Sequence, residues 1–260
     1  MKNILLIGGS YGIGNEIAQQ ISEIHNVFIA SRTNENIPSN VTHLEFDVSK
    51  DDITSLDLPD EIHGLVYCPG SINLKQFKRI SPEAFLQDLD LNLIGLIKVI
   101  QGVLPKLVAS KNASLVFFST VAACVGMPFH TSVAASKGAI EGFARALAAE
   151  YAPRMRVNVI APSLTDTPLA RRFLSTAAKK ETMGARHPLK RVGTAKDIAN
   201  IAVFLPRSVP VGWMIFASTI FIIFLGYMFY EKGGKIQKII LEKTGTRYVR
   251  SATIIDLVYE

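Results

Sequence analysis

Cysteine is scarce in this chain: two in 260 residues, Cys68 and Cys124, with no partner at metal-ligand spacing. That scarcity excludes a disulfide scaffold and a zinc cluster, and no metal is expected in the site. Net charge is small as well, +6 from 28 Lys and Arg against 22 Asp and Glu. So modest an excess suits an anionic cofactor or a membrane surface and leaves no specific footprint for nucleic acid. Internal repeats and low-complexity linkers are absent, and no secretory leader precedes the first apolar run, so the large domain is expected to be cytoplasmic.

What the chain does have is length enough for one large core and a strand, glycine turn and helix at its start. The apolar run Ile4-Leu5-Leu6-Ile7 feeds Gly8-Gly9-Ser10-Tyr11-Gly12-Ile13-Gly14, then the helical pattern Glu16 to Ile21. Glycines at these places let backbone amides approach a pyrophosphate, and a helix N-terminus adds partial positive charge. Taken alone, the turn reads equally as a structural connection. The second apolar run, Val27 to Ala30, ends in Ser31-Arg32-Thr33. A Rossmann unit that prefers NAD places an acidic residue at this point; Arg32 instead suits a 2′-phosphate, with a solvated arginine as the alternative. Asp47, followed by Val48 and Ser49, reads as an adenine contact or as a helix cap.

These motifs, taken in order, resemble the short-chain dehydrogenase/reductase family. The glycine spacing Gly8-x-x-x-Gly12-x-Gly14 has that family's form, and Leu91-Asn92-Leu93-Ile94-Gly95 matches its helical asparagine motif. Tyr67-Cys68-Pro69-Gly70 stands where the family has Asn-Asn-Ala-Gly, keeping Gly70 but losing the amides that brace the sheet. Ser132-Val133-Ala134-Ala135-Ser136-Lys137 resembles the Tyr-x-x-x-Lys signature with Val133 in the tyrosine's place, and Thr120, thirteen residues earlier, falls at the catalytic serine. Arg156 to Pro168 resembles the sixth strand and the loop over the nicotinamide, with Pro162-Ser163 where Pro-Gly is usual. Leu169 to Arg186 would be the substrate lid, and His187-Pro188-Leu189-Lys190-Arg191-Val192-Gly193 leads into a further helix.

The resemblance implies an α/β fold, a doubly wound parallel sheet of Rossmann type, and an oxidoreductase moving a hydride between NADP(H), ahead of NAD(H), and a small carbonyl or alcohol. It also implies a homo-oligomer if the family interface survives. The residues carried over for catalysis are Asn92, Thr120 and Lys137. Those for the cofactor are Gly8, Ser10, Tyr11, Gly12, Ile13, Gly14, Ser31, Arg32, Asp47, Val48, Cys68, Gly70, Asn92, Lys137, Pro162 and Thr165. In the family's mechanism the tyrosine moves the proton, the lysine lowers its pKa and binds the ribose, and the serine hydroxyl orients the carbonyl. Val133 can perform no proton chemistry, so water or His130, three residues before it, is left to supply the proton; the other reading of His130 is a surface or loop-packing side chain. Thr165 and Thr167 could donate to cofactor phosphate or carboxamide, and Asn92 would hold a water or bond only to backbone.

The resemblance covers about residues 3 to 205 and then stops. Residues 211–230 carry no charge over twenty positions, long enough for a bilayer-spanning helix. The same stretch also reads as a rewritten last strand, because Ile220 to Phe224 is β-branched and aromatic. The chain therefore divides into 1–205, the dinucleotide-binding and catalytic domain; 206–230, the candidate transmembrane or buried apolar segment; and 231–260, a basic tail. Two further functions stay open beside the oxidoreductase: an NADP(H)-binding protein without turnover, and an accessory subunit of a membrane complex.

Overall fold

The computed structural model of the chain describes residues 1–207 and 218–221. Short apolar runs form the strands: β1 (Asn3–Ile7), β2 (Asn26–Ser31), β3 (Thr42–Glu45), β4 (Gly64–Tyr67), β5 (Ala113–Phe118) and β6 (Met155–Ile160). β1, β4, β5 and β6 are almost wholly buried, as the strands of a sheet covered on both faces must be. Alternation along β1 sends Leu5 and Ile7 to one face and Ile4 and Leu6 to the other.

Amphipathic helices cover both faces. α1 (Gly12–Ile21) and α7 (Ala195–Arg207) pack on one, where Ile17, Ala18, Ile198 and Ala202 meet Leu6 and Val116. On the other, α3 (Gly95–Ala109) and α5 (Thr131–Tyr151) bring Leu96, Val99, Leu107, Ile140 and Ala144 against Leu65 and Leu115. α2 (Pro82–Leu89) continues through a π-turn at Asp90–Ile94 into α3. The combined Pro82–Ala109 stretch is the one helix among the described residues long and apolar enough to cross a bilayer. Its residues Leu96, Val99, Ile100, Val103 and Leu107 are core residues here.

Every sheet pairing is parallel, in the order β3-β2-β1-β4-β5-β6 and then Ser218–Phe221, which pairs with Val157 to Ile160 of β6. Strand order reverses between β1 and β4, and the crevice at their carboxyl ends is where such sheets bind dinucleotides. Four residues inside the apolar stretch 211–230 thus form a strand where the sequence left helix and strand open. The rest of that stretch, with the 231–260 tail, lies outside the described residues. Above the sheet, α4 (Val121–Val125) follows β5. The short strands Thr165–Asp166 and Gly193–Thr194 pair with each other, and α6 (Ala177–Ala185) stands between them in the chain.

Candidate active site

At the carboxyl end of β1 the chain turns through Gly8 at φ +77° and Gly12 at φ +62°. Both values lie in the left-handed region that glycine occupies without strain. A Cβ at Gly14 would stand 2.5 Å from the Gly8 carbonyl oxygen, so the turn is closed too tightly for any side chain there. The cap residue of α1, Tyr11, makes no side-chain bond to the first helical amides. They remain as donors for an anion. This cradle fits a dinucleotide pyrophosphate. Buried Ser10 accepts the Thr33 hydroxyl at 3.1 Å, and Ser31 donates to the Thr33 carbonyl at 2.7 Å, so the end of β2 is tied to the turn. Arg32 between them is exposed at the crevice rim.

Asp47 stands at a turn that no helix follows directly: its carboxylate accepts the Ser49 amide at 3.0 Å and lies 3.7 Å from Lys50 Nζ. Val48 packs against the core beside Gly95.

The other end of the crevice is a cavity of about 310 Å³. Of the sequence-derived residues, Ile13, Cys68, Gly70, Thr120, Lys137, Pro162 and Thr165 reach its wall, together with Val133; the others lie outside it. Thr120 caps α4, its Oγ1 accepting the Ala122 amide at 3.3 Å. Lys137 sits one turn along α5 from Val133 and is buried. Burial lowers its pKa to about 8 against the pull of Cys68 and Asp88. The Cys68 thiol is pushed up to about 12 by burial and stays neutral.

Asn92 is fully buried in the π-turn. Its amide donates to Ser71 Oγ at 3.0 Å and to Ser136 Oγ at 3.1 Å, while Oδ1 has no partner. A Cβ on Gly70 would lie 3.2 Å from Lys137 Nζ and 3.4 Å from that oxygen. Glycine therefore opens the corner shared by the ammonium and the orphaned acceptor. The backbone-only alternative for Asn92 is corrected: its bonds run to two hydroxyls.

Three other groups take definite positions. The buried Tyr67 hydroxyl donates to the Leu91 carbonyl at 2.7 Å and so ties β4 to the π-turn. Thr165 spends its hydroxyl on the Ser163 carbonyl at 2.9 Å, whereas Thr167 lies against Gly12. His130 belongs to the cavity wall, its Nδ1 bonded to the Pro128 carbonyl at 2.7 Å.

Two groupings escaped sequence reasoning. Buried Asp88 accepts from Ser71 at 2.5 Å and from Ser132, tying α2 to α5 behind Val133. His187 lies 3.0 Å from Ser163 Oγ through Nε2 and 2.9 Å from the Met183 carbonyl through Nδ1, and both partners of that Ser–His pair face the cavity. The one available signal was Ser163 itself, a hydroxyl where glycine is usual.

With this geometry in place, likeness to known proteins is informative. The family profile described as enoyl-(acyl carrier protein) reductase matches residues 8–208. The chain is 31% identical over 223 residues to the 3-oxoacyl-(acyl-carrier-protein) reductase of Chlamydia muridarum, covering 78% of this chain and 89% of the relative. It is 35% identical over 130 residues to the peroxisomal 2,4-dienoyl-CoA reductase of Saccharomyces cerevisiae, covering 50% of this chain and 44% of that one. Among solved structures, ligand-free Thermoplasma acidophilum aldohexose dehydrogenase superposes with a TM-score of 0.73 at 26% identity, covering 79% of this chain and 86% of that chain. Fold, glycine turn, crevice and relatives agree, and the chain belongs to the short-chain dehydrogenase/reductase family of nicotinamide-dependent oxidoreductases.

Proposed function

We propose that this protein reduces a small carbonyl compound with NADPH, working from a site in which Val133 occupies the tyrosine's place. The observation that carries this reading is the convergence of Thr120 and Lys137 on one cavity beside the glycine turn, with the orphaned Asn92 Oδ1 behind the Gly70 corner of its wall. Bound in the crevice, the reduced nicotinamide supplies the hydride. Lys137 and the Gly70 corner hold its ribose, the open amides of α1 hold its pyrophosphate, and Arg32 at the rim meets the 2′-phosphate. Thr120 donates its hydroxyl to the substrate oxygen. The wall is otherwise mostly apolar, with Leu74, Phe118, Met127, Leu169 and Phe173. Such a lining suits an acyl chain better than a sugar, and the two reductases named above bear names of acyl-thioester enzymes. A 3-oxoacyl thioester is therefore the substrate class of choice.

A titration of the purified full-length chain with NADPH and with NADH, followed by nicotinamide fluorescence, tests the cofactor half. NADPH should bind at least tenfold more tightly, and Arg32→Asp should reverse that preference, a difference of about 1.4 kcal/mol or more. Absence of binding to either nucleotide would refute the reading.

A further inference from the structure

The family's proton donor is a phenol, and on the reading above this chain has an isopropyl group in its place. The cavity wall holds four basic side chains, Lys137, His130, Arg186 and His187, and no carboxylate among the described residues; the Arg186 guanidinium only donates hydrogen bonds. Lys137 Nζ lies at the Gly70 and Asn92 corner. His130 is anchored through a single nitrogen at the start of α5. His187 is different on both counts.

It is 3% exposed and fixed at both nitrogens. A carbonyl only accepts, so the proton of the neutral ring must sit on Nδ1, facing Met183 O, which leaves Nε2 as an acceptor. The partner at Nε2 is a hydroxyl, so Ser163 Oγ donates to it. The result is an alcohol aimed at a base, with the base oriented by a third group, the arrangement that activates hydroxyls in acid–base catalysis. Both members are tightly seated. The Ser163 carbonyl accepts Thr165 Oγ1, and the His187 backbone is held by its amide on the Gly184 carbonyl at 2.9 Å and by the Lys190 amide on its own carbonyl at 2.9 Å. Gly184 lets that turn close, since a Cβ there would lie 3.1 Å from both Arg191 Cα and the Lys190 carbonyl oxygen.

We propose that Ser163 and His187 form the proton-transfer centre of this cavity, Ser163 as the catalytic residue touching the substrate oxygen and His187 acting through it. The proposal rests on the oxidoreductase reading. In the alcohol-oxidising direction the substrate O–H bond breaks and its proton goes to Ser163 Oγ, which passes its own proton to His187 Nε2. The substrate C–H bond breaks with its electron pair, which leaves as hydride to NADP⁺. In reduction the same bonds form in reverse: His187, protonated from solvent, returns a proton to Ser163 as the Ser163 proton goes to the carbonyl oxygen, and the hydride from NADPH makes the new C–H bond.

Two experiments on the full-length chain test this. In the protein without nucleotide, ¹⁵N-histidine NMR should show His187 as the Nδ1–H tautomer, with an Nε2 resonance that moves in Ser163→Ala; the opposite tautomer would overturn the pair. In steady-state kinetics with NADPH and acetoacetyl-CoA, Ser163→Gly and His187→Gln should each lower kcat by on the order of 10²-fold. Both KM values should stay within about threefold, and the double variant should lose no more than either single one, as members of one unit do. Adding Val133→Tyr to His187→Gln should restore turnover by tenfold or more, which a merely structural role for His187 does not allow. Unchanged kcat in Ser163→Gly, or no rescue by the tyrosine in a His187→Gln protein that still binds NADPH, would overturn the proposal. A wild-type chain that binds NADPH yet reduces no acetoacetyl-CoA would instead defeat the acyl-reductase reading, and the proposal with it.

Discussion

The two ends of the crevice are built on different principles. At the nucleotide end, the requirements fall on the backbone: positive φ at Gly8 and Gly12, no Cβ at Gly14, free amides at the start of α1. At the cavity end, the carbonyl end on the function proposed above, they fall on side chains drawn from the π-turn, α4, α5, the loop after β6 and the turn after α6, none adjacent in sequence to all the others. A backbone cradle tolerates almost no substitution, because glycine has no substitute where a side chain would strike a carbonyl. A side-chain constellation can lose one member and recruit another, because its members come from separate elements. This contrast explains how a chain can keep its dinucleotide cradle and still carry valine at position 133.

The largest effect expected of a single change belongs to the carbonyl end. Thr120→Val removes the hydroxyl offered to the substrate oxygen while keeping the side chain's volume. Loss of one such donor costs on the order of 10²- to 10³-fold in kcat. NADPH affinity should be unchanged, since among the described residues the Thr120 hydroxyl bonds to the Ala122 amide and makes no contact with the glycine turn. Turnover that survives the substitution would mean that the carbonyl does not sit between Thr120 and Ser163.

The complementary break falls at the nucleotide end. Gly14→Ala forces a methyl group to within 2.5 Å of the Gly8 carbonyl oxygen and 3.0 Å of the Gly9 Cα. Relief requires the turn to open, at a cost of up to about 3 kcal/mol. Urea unfolding should report the destabilisation and fluorescence titration a parallel loss of NADPH binding. Retained affinity in the alanine variant would show that the pyrophosphate does not depend on this closed turn.

The same division decides what was legible in the sequence. The first strand, the helical core face and the glycine turn follow from local patterns: a continuous apolar run in β1, apolar spacing in α5, and glycines where a turn demands them, whereas the parallel sheet follows only from the family resemblance. Thr120 and Lys137 were found because their positions are fixed relative to each other within one continuous stretch. Asp88 with Ser132, and Ser163 with His187, lie 44 and 24 residues apart and meet only through the fold. No periodicity encodes such pairs. Ser31 and Thr165 show the converse limit: both have hydroxyls suited to a cofactor, and the fold spends each on a nearby carbonyl. For residues 211–230, a run both apolar and β-branched satisfies helix and strand patterns together, and only pairing with β6 makes a strand of Ser218–Phe221.

Lys137 stands where the two ends meet, and its titration sharpens the contrast between them. Burial lowers its pKa from 10.5 to about 8, so in the folded chain it loses its proton well before it would in the unfolded one. Below pH 8 both states are protonated, and the desolvation of the ammonium weighs constantly against folding. Between about pH 8 and 10.5 the unfolded state holds more protons than the folded state, so this group's contribution to stability rises with pH across that window. Lys137→Met removes the titration. Relative to that variant, the wild type should gain on the order of 1 kcal/mol in urea stability between pH 7.5 and 9.5. Equal pH dependence in the two proteins would mean that the ammonium is hydrated in solution, as a lysine at an open cofactor rim would be. A gain confined to the wild type would place the charge in a dry corner, where an ammonium is costly to bury until a ribose hydroxyl or the Asn92 oxygen shares its protons.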